Sequence, residues 1–129
     1  MLPKIRHDGP IIIHLPIRVN TTSNTGGHWY NKSPRAKKER GLAKAAVQNA
    51  LWKDMLDPMP SKIVVTFTRF APRTLDVADN DSSAFKHVKD GVADAIGIDD
   101  RSKIYKWKYE QEKSKDYSIC IEIVFKRKP

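Results

Sequence analysis

The spacing of apolar residues changes several times along this chain of 129 residues, from every second residue to every third or fourth and back. Alternation is typical of a half-buried strand, whereas a spacing of three or four is typical of an amphipathic helix. The resulting order β-α-β-α-β-β predicts an α+β fold with a mixed, mostly antiparallel sheet and two main helices. The predicted strands are 11–17, 62–70, 103–109 and 117–125, and the predicted helices are 35–54 and 83–96.

Residues with particular backbone preferences mark the ends of the two predicted helices. Ser33 before Pro34 favours a helix start, because a serine cap followed by proline suits the first turn. Ser82 or Ser83 is expected to cap the second helix. Gly97 is expected to end it, since glycine adopts the left-handed conformation that commonly closes a helix.

The length and the 40% hydrophobic content suit a single domain over 1–129, with flexible ends expected at 1–10 and 126–129. The charged segment 110–116 lies between the last two strands and predicts that they form an antiparallel hairpin. One cysteine, Cys120, excludes an intrachain disulfide and a cysteine-rich zinc site. We expect Cys120 to be a buried strand residue.

No apolar run approaches the roughly 20 residues that a membrane-spanning helix needs. The N-terminus also lacks the apolar stretch and small-residue cleavage site of a signal peptide. These features predict a cytoplasmic protein with no membrane partner.

Acidic residues are concentrated in one part of an otherwise basic chain. The formal net charge is +9, yet the segment 76–100 holds seven of the 15 carboxylates and has a net charge of −5, which leaves +14 for the other residues. A basic surface attracts polyanions, whereas clustered carboxylates repel a phosphate backbone unless metal cations lie between them. The combination predicts metal-dependent chemistry on nucleic acid.

The first group of carboxylates lies where a predicted strand gives way to a predicted helix. It contains Asp76, Asp79, Asn80 and Asp81. Such residues also favour turns and helix starts, which is the simpler interpretation. Several like charges so close together raise one another's pKa, however, and this favours a bound cation. Mg²⁺, with Mn²⁺ as a substitute, suits a few carboxylates completed by water and phosphate.

The remaining charged residues of the segment allow two interpretations each. Lys86 lies one turn into the second helix, where it would reach a phosphate, or it forms a surface pair with Asp90. Asp90 and Asp94 are interpreted as residues of the exposed helix face. Asp99-Asp100 follows the helix stop and is either a ligand pair or part of a turn.

Basic and polar residues elsewhere are candidates for contacts with DNA. His28 lies in a polar loop that also holds aromatic residues, and the first turns of the first helix are basic where acids are usual. The candidate DNA-binding residues are Asn24, His28, Arg35, Lys37, Lys38, Arg73, Lys89, Arg101 and Lys103.

Four stretches of the sequence resemble the RusA family of Holliday-junction resolvases, small endonucleases of phages and prophages. They are Arg73-Thr-Leu-Asp76, the stretch from Asp79-Asn80 to Lys86, the stretch from Asp90 to Asp100, and Ile13-His-Leu-Pro16 with Ser23-Asn24. The resemblance implies a homodimer that acts on four-way DNA with Mg²⁺ and no small-molecule cofactor, in a bacterial or phage-infected host cell. It implies that Asp76, Asp79 and Asp100 bind metal and that Lys86 binds phosphate, with Asn80 supporting and Asp99 adjacent.

Two residues, Val77 and Ala78, separate Asp76 from Asp79, where the family has one. Side chains three apart need not point the same way in an extended segment, so Asp81, two residues after Asp79, is an alternative partner for it. Whether Asp76 or Asp81 fills this place stays open at this point.

The length of the second helix adds a geometric expectation. A helix over 83–96 is about 21 Å long at ~1.5 Å per residue, and it separates Asp79 from Asp99-Asp100. Two metals in such a site lie roughly 4 Å apart. We therefore hypothesise that Asp100 completes the active site of the partner subunit in a two-fold dimer, unless the helix is shorter or bent.

The expected function is a Mg²⁺-dependent endodeoxyribonuclease that resolves four-way or related branched DNA by paired symmetric nicks. One alternative is a catalytically inactive, basic nucleic-acid-binding protein of the same fold. Another is a basic module that associates with ribosomes or proteins. The three differ in metal dependence and in preference for branched DNA.

Overall fold

The computed structural model describes residues 10–19, 34–51, 56–74 and 84–127. Their element order, β-α-β-α-β-β, and their mixed sheet with two helices confirm the α+β prediction. The strands are β1 (Ile11–Leu15), β2 (Lys62–Ala71), β3 (Tyr105–Lys113) and β4 (Ser118–Lys126), and the helices are α1 (Pro34–Ala50) and α2 (Lys86–Ile96).

The strand order in the sheet is β1-β4-β2-β3. β4 is antiparallel to both of its neighbours, whereas β2 and β3 are parallel and are connected through α2. The predicted hairpin of the last two strands is therefore wrong, since β2 lies between them. In this central place Ile63, Val64 and Val65 are all buried, and the N–H of Ser114, in the connection between β3 and β4, donates to the carbonyl of Ala71 at the end of β2 at 3.0 Å.

Both helices pack on one face of the sheet, which we call the covered face, and alternate residues of the strands form the core there. Phe67, Ile121 and Ile123 are fully buried there, and the ring of Phe67 stacks on that of Phe85 with centroids 4.9 Å apart. We call the opposite side the open face, because neither helix packs against it. Thr66 and Glu122 are partly exposed on this face, and Ile12 is 56% exposed.

Gly91 allows the two helices to approach closely. A Cβ atom at this position would overlap the main-chain carbonyl of Arg40 and would lie 2.9 Å from the Cβ of Ala43. Gly97 ends α2 as predicted, with φ of +85° and its N–H bonded to the carbonyl of Ala93. Within the part of the chain that the structure describes, neither helix is long and apolar enough to cross a membrane.

Several local predictions need correction. α2 spans Lys86–Ile96, and Phe85 before it gives no side-chain cap, because a phenylalanine ring has no hydrogen-bonding atom; the predicted start at residue 83 lies outside the described residues. On α1, Val47 and Ala43 are buried against the core, whereas Leu42 is 38% exposed. The other differences are β3, which extends to residue 113; Cys120, which lies on the open face and is only partly buried; and Lys126, which belongs to β4.

Candidate functional site

Part of the predicted site lies outside the described residues. This holds for the first acidic group, Asp76, Asp79, Asn80 and Asp81, for the loop residues Asn24 and His28, for the expected cap residues Ser33, Ser82 and Ser83, and for the side chain of Arg35. The second acidic group, which consists of Asp99 and Asp100, and the remaining basic candidates are described.

The turn between α2 and β3 holds Asp99 and Asp100 in place through hydrogen bonds to the main chain. The indole Nε1 of Trp107 donates to the carbonyl of Asp100 at 3.1 Å, and the hydroxyl of Tyr105 donates to the carbonyl of Ile98 at 2.9 Å. The carboxylate of Asp99 accepts from the N–H of Arg101 at 2.8 Å. This last bond lowers the pKa of Asp99 and gives it the turn role that was one of its two interpretations.

Asp90 and Asp94, interpreted as exposed helix-face residues, line a cleft together with Asp99 and Asp100. The cleft has a volume of about 320 Å³ and lies between the end of α2 and Arg40 of α1. Both residues lie on the surface of α2, as expected. Their position beside Asp99 and Asp100 follows from α2 and its closing turn, whereas Arg40 reaches the cleft because α1 packs closely against α2 at Gly91, which the spacing of the residues did not reveal.

The two helix carboxylates differ in their electrostatic surroundings. Asp94 accepts two bonds from the guanidinium of Arg40, at 2.6 and 3.0 Å, and these lower its pKa. Burial raises the pKa of Asp90, the negative charges of Asp100 and Asp94 raise it further, and Arg40 and Lys86 oppose the shift. Asp90 is thus the group in this cleft that a nearby cation would stabilise most directly.

The two lysines of α2 lie on different sides of its first turns. Lys86 is exposed at the first residue of the helix, and its charge acts on Asp90. Lys89 is half-buried, with its Nζ 5.0 Å from the centroid of the Trp107 ring. Lys89 therefore connects α2 to the strand that holds Asp100 in place.

The first acidic group follows the end of β2 and the second precedes the start of β3, and the sheet register shows how far apart these two strand ends are. Tyr105 lies beside Ile63, whereas Ala71, eight residues further along β2, lies beside Lys113. At about 3.3 Å per residue, the start of β3 and the end of β2 are about 26 Å apart. α2 spans 11 residues, or about 16 Å, which is shorter than expected. Because Asp79 lies outside the described ranges, the hypothesis of a site shared between subunits stays a prediction.

Arg69 is a residue of this region that the sequence analysis missed. It is 5% exposed on the covered face of β2. Its Nε donates to the carbonyl of Val19 at 3.2 Å, and its Nη1 donates to the carbonyl of Arg73 at 2.8 Å. Arg69 thereby ties together the residues that precede the two segments predicted to contact substrate. The sequence contained a sign of this role, because Arg69 follows Val65 and Phe67 at every second position and therefore shares their buried face.

The described residues do not contain a complete metal site by themselves. Among ranges 10–19, 34–51, 56–74 and 84–127, no three His, Cys, Asp or Glu side chains are grouped so that they could hold a metal ion. Five candidate DNA-binding residues are exposed in these ranges: Lys37, Lys38, Arg73, Arg101 and Lys103.

Comparison with models of known protein families gave no match. An uncharacterized protein of Xylella fastidiosa (strain Temecula1 / ATCC 700964) is 35% identical to this chain over 79 residues, which are 60% of this chain. The aligned region covers 52% of that relative, so this chain corresponds to about half of its length.

Proposed function

We propose that this protein is a Mg²⁺-dependent, structure-selective endodeoxyribonuclease that resolves four-way or related branched DNA by paired nicks. The observation that carries the proposal is the fixed position of Asp99-Asp100 beside Asp90, whose pKa is raised, in a cleft of a chain with net charge +9. A divalent cation would relieve the repulsion that the charge of Asp100 exerts on Asp90. The RusA-like pattern described above supports the same reaction.

The proposed metal ligands are Asp76, Asp79 and Asp100, with Asp81 and Asp99 as alternatives. Their carboxylate oxygens suit Mg²⁺ and, as a substitute, Mn²⁺. The bound metal would activate a water for attack on the phosphodiester and stabilise developing charge. Lys86 would contact the phosphate from the exposed start of α2, where the helix dipole also favours an anion. Asn80 would orient a neighbouring carboxylate.

We further propose a homodimer in which Asp100 contributes to the partner's site. The register of β2 and β3 supports this arrangement, because the described starting points of the two acidic groups are about 26 Å apart along the sheet. A two-fold axis would provide the two equivalent sites that paired symmetric nicks require.

Nicking of a synthetic four-way junction tests the reaction. Wild-type protein should cut with Mg²⁺ or Mn²⁺, and Asp79→Asn and Asp100→Asn should each lower the rate at least ~100-fold, since several kcal/mol of charge stabilisation are lost. Asp116→Asn is a matched control, because Asp116 is exposed in the connection between β3 and β4. Wild-type protein that binds junctions without cutting them would favour the inactive DNA-binding alternative.

Mixed dimers test the shared site. A heterodimer of Asp79→Asn and Asp100→Asn subunits has one intact site if Asp100 acts across the interface, and none if it acts within its own subunit. Recovery of nicking at one strand is expected after the two inactive proteins are mixed and re-equilibrated. Absence of recovery in a heterodimer isolated with two affinity tags would contradict the shared site.

A further inference from the structure

We propose that three lysines on the open face of the sheet, Lys62, Lys106 and Lys126, bind the phosphate backbone of a DNA arm. We call them the lysine patch. The proposal rests on the proposed function in one respect, namely that DNA is the ligand. It concerns a surface on the opposite side of the sheet from the helices and from the carboxylate cleft.

The strand register brings the three lysines together. Lys62 of β2 and Lys126 of β4 are directly opposite each other, and both side chains are exposed. Lys106 lies on β3 opposite Val64, so it is one strand and two residues away from Lys62. With about 4.8 Å between strands and 3.3 Å per residue, its Cα lies about 8 Å from that of Lys62.

Lys62 and Lys126 carry like charges that repel each other unless an anion lies between them. Like charges directly opposite on antiparallel strands are destabilising. The Nζ of Lys62 donates to the carbonyl of Lys103 at 3.0 Å, which orients the ammonium without neutralising it. A phosphate group between Lys62 and Lys126 would turn this repulsion into two favourable contacts.

The acids of the open face lie outside the patch. Glu122 is opposite Thr66, and Glu110 and Glu112 are opposite Thr68 and Phe70, further along the strands. Lys108 shares the row of Thr66 and Glu122, so we do not include it. Asp57 is exposed in the turn before β2, which Arg127 contacts at the carbonyl of Pro58. The end of the open face where β2 and β3 begin is thus predominantly basic.

Hydrogen bonds hold the main chain of the patch in place at Lys126. Its carbonyl accepts bonds from the N–H and the hydroxyl of Ser61, at 2.8 and 3.0 Å. Main-chain positions fixed in this way lose little conformational entropy when a ligand binds.

β3 connects the patch to the candidate catalytic turn. Trp107 faces the helices and bonds to Asp100, whereas its neighbour Lys106 points to the open face. A nucleic-acid arm that passes the end of the sheet can therefore contact the turn and the lysines together. This placement favours DNA over an unrelated polyanion.

The salt dependence of DNA binding tests the patch directly. Each phosphate contact contributes about 0.9 to the slope of log K against log salt concentration. The double variant Lys62→Gln/Lys126→Gln should lower this slope by nearly 2, and adding Lys106→Gln should lower it further by about 1. Lys62→Arg/Lys126→Arg should keep the wild-type slope. Fluorescence anisotropy with a labelled four-way junction measures the affinity at KCl concentrations from about 50 to about 200 mM. EDTA in the buffer removes divalent metal, so that binding is measured without cleavage.

Lys113→Gln/Lys115→Gln is the matched control, because both lysines are exposed at the opposite end of β3 and the variant loses the same charge. It should leave the slope unchanged. An unchanged slope in the patch variant, or an equal decrease in the control, would overturn the proposal. DNA binding with a lowered slope but no nicking would contradict the endonuclease and leave the patch supported. Failure of the wild-type protein to bind DNA would contradict both.

The variants should remain folded, because the three side chains are exposed and two of them repel each other. The melting temperature of Lys62→Gln/Lys126→Gln should be equal to or higher than that of wild type. Reduced DNA binding without reduced stability would distinguish a binding role from a structural one.

Discussion

Successive residues of each strand point to the covered face and to the open face in turn, and the two faces differ in their side chains. On β2, Val65 and Phe67 are fully buried beneath the helices, whereas Thr66 and Thr68 between them are partly exposed. The covered face therefore contributes most of the apolar burial that stabilises the fold. The open face can carry unbalanced charge because the core does not depend on it. Substitutions that differ by one residue along a strand should separate these two contributions.

The sharpest test compares Phe67→Ala with Thr66→Ala. Phe67 is fully buried and stacks on Phe85, so its truncation should lower the free energy of unfolding by about 3–5 kcal/mol. Thr66→Ala should cost about 1 kcal/mol or less. Urea denaturation followed by circular dichroism measures both. Equal losses would show that the open face is also part of the stabilising core.

Two glycines sharpen the comparison within the helical layer. Gly91→Ala should destabilise the protein by about 2–3 kcal/mol, because the new methyl group would overlap the carbonyl of Arg40. Gly41→Ala should instead stabilise by roughly 0.5–1 kcal/mol, since a Cβ there has nothing within 4 Å. Thermal melts of the two variants should shift in opposite directions. Similar shifts would mean that the helices separate readily at Gly91.

Arg69 is the polar exception on the covered face. Arg69→Met should lower the free energy of unfolding by about 2 kcal/mol, because two carbonyls lose a charged donor. Arg69→Lys keeps the charge but cannot donate in two directions from one planar group, so it should give an intermediate loss. Denaturant titration of the three proteins checks this order. A fully stable methionine variant would show that packing alone satisfies this position.

Substitution of Asp94 should have the smallest effect on the free energy of unfolding, and this effect should depend on pH. The folded-state pKa of Asp94 is lowered by Arg40, so its stabilising contribution is present above the unfolded pKa of about 3.9 and is lost as pH falls through the folded value. Asp94→Asn should cost about 0.5–1 kcal/mol at pH 7, because the Arg40 and Asp94 side chains are 53% and 30% exposed and solvent screens the pair. The difference from wild type should shrink below about pH 4.

Asp90→Asn is the control with the opposite sign. Burial raises the pKa of Asp90, so its contribution favours folding below the unfolded pKa and is lost as pH rises through the folded value. Replacing it should not destabilise the protein at pH 7. A loss like that of Asp94→Asn would contradict the difference between the two carboxylates.

The periodicity of apolar residues predicted β2 and β4 to within one residue at each end, because both strands alternate between a covered and an open face. It underestimated β3, since the charges at 110–113 resembled a loop although they point away from the core or lie at the strand end. It also paired neighbouring strands as a hairpin. Local patterns do not reveal that β2, the strand with the most buried residues, lies between them.

The candidate site was predictable only where its residues are close in sequence. The turn at Asp99-Asp100 followed from the glycine stop of α2. The cleft that also contains Asp94 and Arg40 depends on contact between two helices, and that contact depends on the absence of a side chain at Gly91. Because glycine has no Cβ atom, Gly91 does not contribute to the spacing of apolar residues, and this spacing could not predict the contact.

The hydrogen bond between Trp107 and Asp100 also makes the indole a built-in optical reporter. The chain has three tryptophans, and replacing Trp29 and Trp52 by phenylalanine would leave the emission of Trp107 alone. Its excited state is sensitive to the carbonyl it bonds and to the ammonium of Lys89 near its ring. Fluorescence titration with Mg²⁺ or with DNA would then report changes at the turn that contains Asp99 and Asp100 in unlabelled protein.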